Sequence, residues 1–508
     1  MAEHTQRRPP VVSDKIGPDD PRYGDLVGRG SRRFAGKPDY VRVVCSTEQV
    51  VDAVQDAVGE QLRVAVRSGG HCLEAFVADP AVRVVIDTSL MTGVYYDPEV
   101  GAFAVEAGAR LGDAYRKLFL GWGVTIPAGV SPNVGVGGHV VGGGFGFLCR
   151  QHGLASDHLW GVEVVVVDEA GTARRVVATR EPSDPNRDLW WAHTGGGGGN
   201  FGIVTRYWFR SPGAEGIDPA GLLPKAPDSV LTFKAAWNWP DIDETAFTRL
   251  VGNYGDWSER NSQPDAPSAQ LYSTLVLGRR QLGLLEISGL VTAGAEAERL
   301  LNEHLAAVNE GVGVPHTRSA ERKSWLAHAL YPAPGLAGVG LERAVFKLKD
   351  ALLRKRFTDR QIEVAYHYLT RTDHDVGLMW GMATYGGRIN TVAPDATASA
   401  QRDSILTTSV SAGWEDPQDE ARTLAWVRQL YRELFADTGG VPIPGEVSSG
   451  ALINHPDVDL ADPEWNTSGV PWHTLYYRDN YPRLQQVKAR WDPRNVFHHA
   501  LSIRPETA

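Results

Sequence analysis

The stretch LRVAVRSGGH, residues 62–71, carries a strand pattern that ends in two glycines and a histidine. Leu62, Val64 and Val66 alternate with other residues at the period of a half-buried strand. The turn that follows can align successive backbone N–H groups into a nest that holds a pyrophosphate. The same letters also describe an ordinary tight turn with a structural histidine, so the motif alone leaves both interpretations open.

Two further glycine-rich stretches accompany the first. PAGVSPNVGVGGH occupies residues 127–139 and continues into GGGFG at 142–146, while DLWWAHT at 188–194 leads into GGGGGNFGIVT at 195–205. A phosphate-binding P-loop would need Gly-Lys-Ser/Thr after its glycines, and a Rossmann fingerprint would need a following helix and a ribose-binding acid. Neither is present. Three glycine loops in one region suit an extended dinucleotide that lies along the backbone.

Composition narrows the class of protein. A chain of 508 residues is too long for a single core and predicts two domains, or one domain with a large insertion. A net charge of -10 without a basic stripe argues against a nucleic-acid partner. No apolar run reaches the roughly 18 residues that cross a bilayer, and the N-terminus lacks the apolar segment of a signal peptide. The three cysteines have neither the spacing of a metal site nor that of a disulfide framework. We therefore expect a cytoplasmic protein that holds no metal.

Periodicity predicts an α+β chain. In the first 210 residues, Ser46 and Gln49 form a helix-capping pattern, a helix is predicted at 111–120, and strands are predicted at 82–87, 102–107 and 162–167. From about 215 to 445 the glycine clusters stop, and aromatic strands at 364–369 and 378–382 alternate with helices at 295–308 and 420–438. This part predicts an antiparallel sheet with helices on one face. A last helix at 480–490 ends at Asp492-Pro493.

Five motifs taken in order make a resemblance specific. They are residues 67–71, 135–154, 191–205, the GGRIN of 386–390, and YYRDNYPRL at 476–484 with DPRNVF at 492–497. The chain resembles the FAD-linked oxidases of the berberine-bridge-enzyme family, within the vanillyl-alcohol-oxidase-type flavoproteins, from about residue 37 onward. The resemblance implies an N-terminal arm (1–36), a two-part FAD-binding domain of the PCMH type (37–212), a substrate domain (213–445) and a C-terminal segment that returns to the FAD domain (446–508).

The resemblance also implies how FAD is held. The histidine at the position of His71 bonds covalently to the 8α-methyl carbon of the flavin, and many relatives add a cysteine eight residues before the position of His139. Here that residue is Ser131, so we expect one covalent link. The other residues expected at the cofactor are Arg67, Ser68, Gly69, Gly70, Cys72, Val134, Gly137, Gly138, His139, Gly142, Gly143, Phe145, Gly146, Gly202, Ile203, Val204, Tyr477 and Asn480.

Catalytic roles follow from the same resemblance. Hydride transfer to the flavin needs a base for the accompanying proton. Tyr476 and Tyr477 match a position where a tyrosine serves, with Tyr476 preferred, and core tyrosines are the alternative. His139 matches a residue near the N1–C2=O edge of the flavin, where a positive or donating group stabilises the reduced cofactor. A histidine that only orders its loop is the alternative there. Phe145 stands where some relatives have a second tyrosine, and the small Val134 favours access of O2.

The predicted function is that of an FAD-dependent oxidase. We expect it to oxidise an alcohol, amine or similar carbon of a small organic molecule, such as an intermediate of secondary metabolism, with O2 as electron acceptor and H2O2 as product. A flavoprotein that binds or reoxidises a toxic metabolite for self-resistance, and a flavin-dependent oxygenase, are the alternatives. Aromatic residues expected to contact the substrate, from strand alternation, are Tyr366, Tyr368, Trp380 and Tyr385.

Overall fold

The computed structural model describes residues 14–31, 33–332, 345–373 and 376–506. Within them the strands form three sheets, and the α+β class is confirmed. The first sheet has the order β1-β2-β4-β3, with parallel pairing except at β1. Its strands are β1 (Lys15–Ile16), β2 (Tyr40–Val43), β3 (Val64–Arg67) and β4 (Val84–Asp87). Part of the predicted N-terminal arm therefore belongs to a sheet, while residues 1–13 lie outside the described residues.

The second sheet is antiparallel and has the order β5-β6-β9-β7-β8. Its strands are β5 (Val94–Asp97), β6 (Ala102–Glu106), β7 (Leu159–Val167), β8 (Ala173–Thr179) and β9 (Ile203–Phe209). The helices of this half are α1 (Tyr23–Val27), α2 (Thr47–Gly59), α3 (Leu111–Trp122), α4 (Val136–Val140), α5 (Cys149–His152) and α6 (Arg187–Ala192). The predicted cap of α2 is present, because the Ser46 hydroxyl accepts from the Gln49 N–H at 3.3 Å.

The third sheet is antiparallel, with the order β13-β10-β12-β11-β15-β16-β14-β17. Its strands are β10 (Ser229–Trp237), β11 (Leu271–Gly278), β12 (Leu285–Val291), β13 (His316–Ser324), β14 (Val345–Leu353), β15 (Gly377–Thr384), β16 (Leu406–Trp414) and β17 (Ser448–Gly450). The helices of this half are α7 (Glu244–Arg260), α8 (Ala297–Asn309), α9 (Trp325–Leu330), α10 (Asp359–Thr370) and α11 (Glu420–Leu434). Helices α8, α10 and α11 contact this sheet. Near the C-terminus, α12 (Trp472–Tyr477) follows β17, and α13 (Tyr481–Trp491) packs against α6.

One predicted strand is a helix. Residues 364–369 belong to α10, which begins with a capping box in which Thr358 and Gln361 exchange hydrogen bonds. Ile362, Ala365 and Leu369 are buried at helical spacing. Over six residues the alternation of aromatic and small side chains imitates a strand, whereas the longer window has the period of a helix.

Candidate functional site

Two of the glycine loops are in backbone contact. A Cβ atom on Gly69 would lie 2.8 Å from the Cα of Gly135, and a Cβ on Gly137 would lie 2.8 Å from the carbonyl oxygen of Ala107. The Ser68 hydroxyl donates to that same oxygen at 2.6 Å. Side chains at the two glycines would separate the loops. Ser68 is therefore available to a cofactor through its backbone, because its hydroxyl is already engaged.

The third loop joins the second through backbone hydrogen bonding, since the Gly197 N–H donates to the Val141 carbonyl at 2.9 Å. Gly138 in the second loop and Gly198 in the third are exposed, although most residues of both loops are buried. A Cβ on Gly138 would meet nothing within 4 Å. Open glycine backbone on a closely packed surface is what an extended dinucleotide requires. The residues present therefore fit FAD.

Other predicted cofactor residues act by packing. A Cβ would lie no more than 2.7 Å from a neighbouring segment at each of Gly142, Gly143, Gly146 and Gly202. Ile203 and Val204 are buried at the start of β9. The Asn480 amide donates to the Pro394 carbonyl at 2.8 Å, so this side chain holds a protein loop and is not free to face a ligand.

The Arg67 side chain is engaged by protein. Its Nε and Nη2 atoms donate to Asp87 Oδ2 at 2.9 and 2.8 Å, and both side chains are buried. Arg29 donates to the same carboxylate at 2.9 Å. The expected contact between Arg67 and the cofactor is thus limited to its backbone, while the guanidinium fixes the end of β3.

His71 and Cys72 follow the turn at Gly70, where the backbone has a φ of +77°. Both side chains are half-buried. Burial raises the pKa of the Cys72 thiol to about 11, which keeps it protonated at neutral pH.

Phe145 connects the second glycine loop to the large sheet. Its ring lies 4.8 Å from that of Tyr385 and 6.2 Å from that of Tyr272, centre to centre. Ser131 and Val134 lie half-buried at the start of the same loop. Tyr385 is the substrate candidate that the fold brings beside the glycine loops, although its own side chain is buried against Phe145.

The other three aromatic substrate candidates lie elsewhere, and these predictions are corrected. Tyr366 and Tyr368 are on α10, and the Tyr368 hydroxyl donates to Glu433 on α11 at 2.6 Å. Trp380 is on β15 as expected, but it is fully buried and packs edge-on against Phe357, directly before α10. All three belong to the helix-covered side of the sheet.

His139 is held inside its loop by a hydrogen bond to one ring nitrogen. Its Nε2 accepts the Gly129 N–H at 2.9 Å, and a Cβ on Gly144 would lie 3.1 Å from the same atom. Burial, with a smaller contribution from His455, lowers the pKa of His139 to about 4. A cationic role beside the flavin is therefore disfavoured at neutral pH, and Nδ1 is left as the donor.

The two tyrosines predicted as bases have buried hydroxyls with backbone partners. The Tyr476 hydroxyl accepts the Asp457 N–H at 2.9 Å, and the Tyr477 hydroxyl donates to the Gly196 carbonyl at 3.0 Å. Burial raises the pKa of both phenols, that of Tyr476 further because of Asp457. This geometry gives no help to ionisation of either tyrosine.

Three residues that sequence reasoning missed lie at the junction of the glycine loops and the sheet. Asn454 donates to the His139 carbonyl at 3.0 Å and accepts the Gly144 N–H at 3.3 Å. Its neighbour His455 places Nδ1 3.5 Å from Oδ2 of Asp350 on β14. The available signal was NHPD at 454–457, in which an amide, an imidazole and a carboxylate surround a proline.

The large sheet has one open face above these loops. Register places Asp350 opposite Ser409, Ser409 opposite Gly381, and Gly381 opposite Val276. Ser409, Gly381 and Val276 are half-exposed, whereas the alternate residues Trp380 and Val410 are buried. These half-exposed residues define the open face of the large sheet.

A buried ionic cluster joins the same elements. Lys347 on β14 lies 2.5 Å from Glu74, which follows the His71 turn, and 2.7 Å from Asp457, which follows His455. Lys349 bridges Asp457 and Asp459 at 2.5 and 2.9 Å. The side chains of these five residues are at most 3% exposed. The cluster fixes the cofactor turn and the loop of His455 to one strand.

Comparison with known proteins identifies the class. A family model described as FAD binding domain matches residues 38–176, and one described as berberine and berberine-like matches residues 451–504. The chain is 54% identical to aclacinomycin-N/aclacinomycin-A oxidase of Streptomyces galilaeus, over 97% of this chain and 90% of that protein. It is 31% identical to hexose oxidase of Chondrus crispus, over 95% and 93%.

Solved structures agree with these relatives. A glycopeptide hexose oxidase complexed with teicoplanin is 51% identical, with a TM-score of 0.94 and coverage of 98% of this chain and 100% of that one. Aclacinomycin oxidoreductase is 55% identical, with a TM-score of 0.94 and coverage of 97% and 99%. The chain is thus an FAD-dependent oxidoreductase with the PCMH-type fold. It belongs to the berberine-bridge-enzyme-like family of FAD-linked oxidases.

The described residues also bear on two other kinds of site. They contain no helix with the length and apolar character needed to cross a membrane. They also contain no group of three or more His, Cys, Asp or Glu side chains placed to hold a metal ion.

Proposed function

We propose that this oxidase acts on a small natural product of secondary metabolism, with O2 as electron acceptor. The observation that carries the proposal is the junction where the glycine loops meet the open face of the large sheet. That face presents hydroxyl, glycine and aliphatic positions at Ser409, Gly381 and Val276, which suit a substrate with both polar and apolar parts. Relatives that oxidise aclacinomycins or act on a glycopeptide support this class of substrate.

FAD is proposed to attach through the imidazole of His71. When bound, it supplies an acceptor for two electrons and a hydride at N5. The open backbone at Gly138 and Gly198 supports it, and Ser131 provides no thiolate for a second attachment. Tyr385 and Phe145 exclude water where the loop meets the sheet. The predicted bases Tyr476 and Tyr477 remain predictions that their buried, engaged hydroxyls do not favour.

Product analysis tests the reaction. The purified holoenzyme is incubated with aclacinomycin A, aclacinomycin N or D-glucose in air, and peroxide and organic product are measured together. An oxidase gives one equivalent of H2O2 per equivalent of oxidised product. Binding without turnover would indicate the resistance role, and incorporation of 18O from 18O2 into product would indicate an oxygenase. Turnover of glucose alone would contradict the natural-product assignment.

Acid precipitation tests the attachment. The flavin of the wild-type protein should remain with the pellet, and a single flavin-bearing peptide containing His71 should be found after proteolysis. Release of all the flavin into the supernatant would contradict the covalent link. Cytoplasmic location is also proposed, and fractionation of the producing cells with an enzyme marker for each compartment tests it.

A further inference from the structure

We propose that His455, positioned by Asp350, is the base that takes the proton leaving the substrate. This inference rests on the proposed oxidase function and specifies the chemistry of the same site. In the step, the substrate C–H bond breaks and its hydride, with both electrons, passes to the flavin. The hydroxyl or amine proton passes to Nε2 of His455, and the carbon becomes a carbonyl or imine. The electrons then pass to O2, and His455 returns its proton to solvent.

Asp350 is placed to orient this imidazole. It lies on β14 with a side chain 1% exposed, and it faces the open side of the sheet in register with Ser409. Its Oδ2 accepts the Leu452 N–H at 3.2 Å and lies 3.5 Å from Nδ1 of His455. Its Oδ1 is buried and has no hydrogen-bond partner among the described residues. A short movement of the ring would complete the hydrogen bond to Nδ1, as is common when a catalytic site closes on its substrate.

His455 has one protected side and one open side. Nδ1 is buried against Asp350, yet 40% of the side chain is exposed, so the exposed area belongs to the rest of the ring. The preceding residue, Asn454, is hydrogen-bonded to the second glycine loop at His139 and Gly144. The imidazole is thereby held at the rim of the cofactor loops, with Nε2 available to a substrate.

The charged and titratable groups around this pair come from several elements, including Tyr431 on α11 and Tyr476 on α12, which both interact with Asp350. Asp350 lies on β14, His139 on the glycine loop and Asp457 in the loop of His455 itself. Burial raises the pKa of Asp350, with the opposing effect of His455 being smaller. Asp457 is neutralised by Lys347 and Lys349. Asp350 is therefore the carboxylate free to pair with the imidazole.

The tyrosines are poorer bases in this geometry. The Tyr476 hydroxyl is directed at the backbone of Asp457, and the Tyr477 hydroxyl is directed at the third glycine loop. An imidazole changes its protonation near neutral pH, whereas a buried phenol needs a nearby cation to do so. Substitution of His455 and of Tyr476 should therefore affect proton transfer differently.

Stopped-flow kinetics under anaerobic conditions gives the first test, with aclacinomycin A as the probe. The variants are His455→Gln, Asp350→Asn and Tyr476→Phe, with His367→Gln on the exposed side of α10 as a matched histidine control. We expect His455→Gln to slow flavin reduction about 100-fold or more and to remove the acid limb of the pH profile of kcat/KM. Asp350→Asn should move that limb and lower kcat. Flavin content and reoxidation by O2 should stay unchanged.

Wild-type rates in His455→Gln, or a large loss confined to Tyr476→Phe, would overturn the proposal. A second measurement does not depend on turnover. In holoenzyme labelled with 15N-histidine, the resonances absent from His455→Gln identify His455, and their shifts show which ring nitrogen carries the proton. We expect protonated Nδ1 and free Nε2, with loss of that preference in Asp350→Asn. The opposite tautomer would overturn the proposal even if aclacinomycin A is not a substrate, whereas absence of turnover alone would contradict only the proposed substrate class.

Discussion

Replacement of Lys347 by Met tests how the site is held together. The ammonium lies 2.5 Å from Glu74 and 2.7 Å from Asp457, and all three side chains are at most 3% exposed. At an effective dielectric constant of about 20, one such contact corresponds to about 6 kcal/mol of Coulomb attraction, most of which offsets desolvation. Removal of the cation leaves two buried carboxylates short of a partner. We expect the free energy of unfolding to fall by about 3–5 kcal/mol.

The assay is urea unfolding followed by tryptophan fluorescence. The matched control is Lys355→Met, because Lys355 pairs with Glu446 at 2.6 Å while 53% of its side chain is exposed. That change should have little effect on the free energy of unfolding, because water screens an exposed ion pair. The double variant Lys347→Met with Glu74→Gln should recover part of the loss, since one unpaired carboxylate is neutralised. Equal effects of Lys347→Met and Lys355→Met would show that the buried cluster contributes no more to stability than an exposed ion pair.

Three further predictions address the loops and the pH range of stability. Gly69→Ala should prevent flavin incorporation, because the new Cβ collides with Gly135. Incorporation is measured as the ratio of flavin to protein absorbance in the purified protein. The control Gly121→Ala on α3, which has open space at Cβ, should incorporate flavin normally. Ser131→Cys should give one flavin that joins the peptides of residues 71 and 131, detectable by mass spectrometry after proteolysis, and absence of this cross-link would place residue 131 away from the flavin. Burial alone would raise the pKa of Asp459, but Lys349 and Arg428 outweigh it and hold that pKa well below its usual range. The ionised Asp459 therefore stabilises the folded protein above about pH 4, and this contribution is lost as the pH falls further. Thermal melts between pH 3 and 7 should show this loss, and Asp459→Asn should flatten it.

Local patterns predicted the cofactor half of the molecule well. The alternation before Arg67, the cap at Ser46 and the glycine runs are properties of neighbouring residues, and each corresponds to an element of the structure. The same kind of pattern misled at 364–369, where six residues imitate a strand and the capping box at Thr358 decides for a helix. Aromatic character then suggested Tyr366 and Tyr368 as substrate contacts, although they pack among helices.

Local sequence patterns could not predict contacts between distant parts of the chain. Asp350 and His455 are separated by more than a hundred positions and meet because β17 pairs with β14 at the edge of the sheet. Asp350 has no neighbour that marks it as functional, and the NHPD stretch around His455 does not show that β14 lies beside it. The direction of the Tyr476 hydroxyl is likewise set by tertiary packing against Asp457. Sequence could name the cofactor region, but the proton acceptor required the topology of the sheet.

The ionic cluster holds the turn after His71 and the loop of His455 to the same strand, β14. Glu74 lies three residues after His71, and Asp457 lies two residues after His455, and both carboxylates share the ammonium of Lys347. A flavin anchored at His71 and a base at His455 would therefore both be positioned by Nζ of Lys347 on β14. Because a buried ammonium holds two carboxylates only in a narrow range of geometry, a shift of either loop would break a contact in the cluster. Loosening at Lys347 should accordingly lower flavin attachment and hydride transfer together, whereas loss of the imidazole in His455→Gln should lower hydride transfer alone.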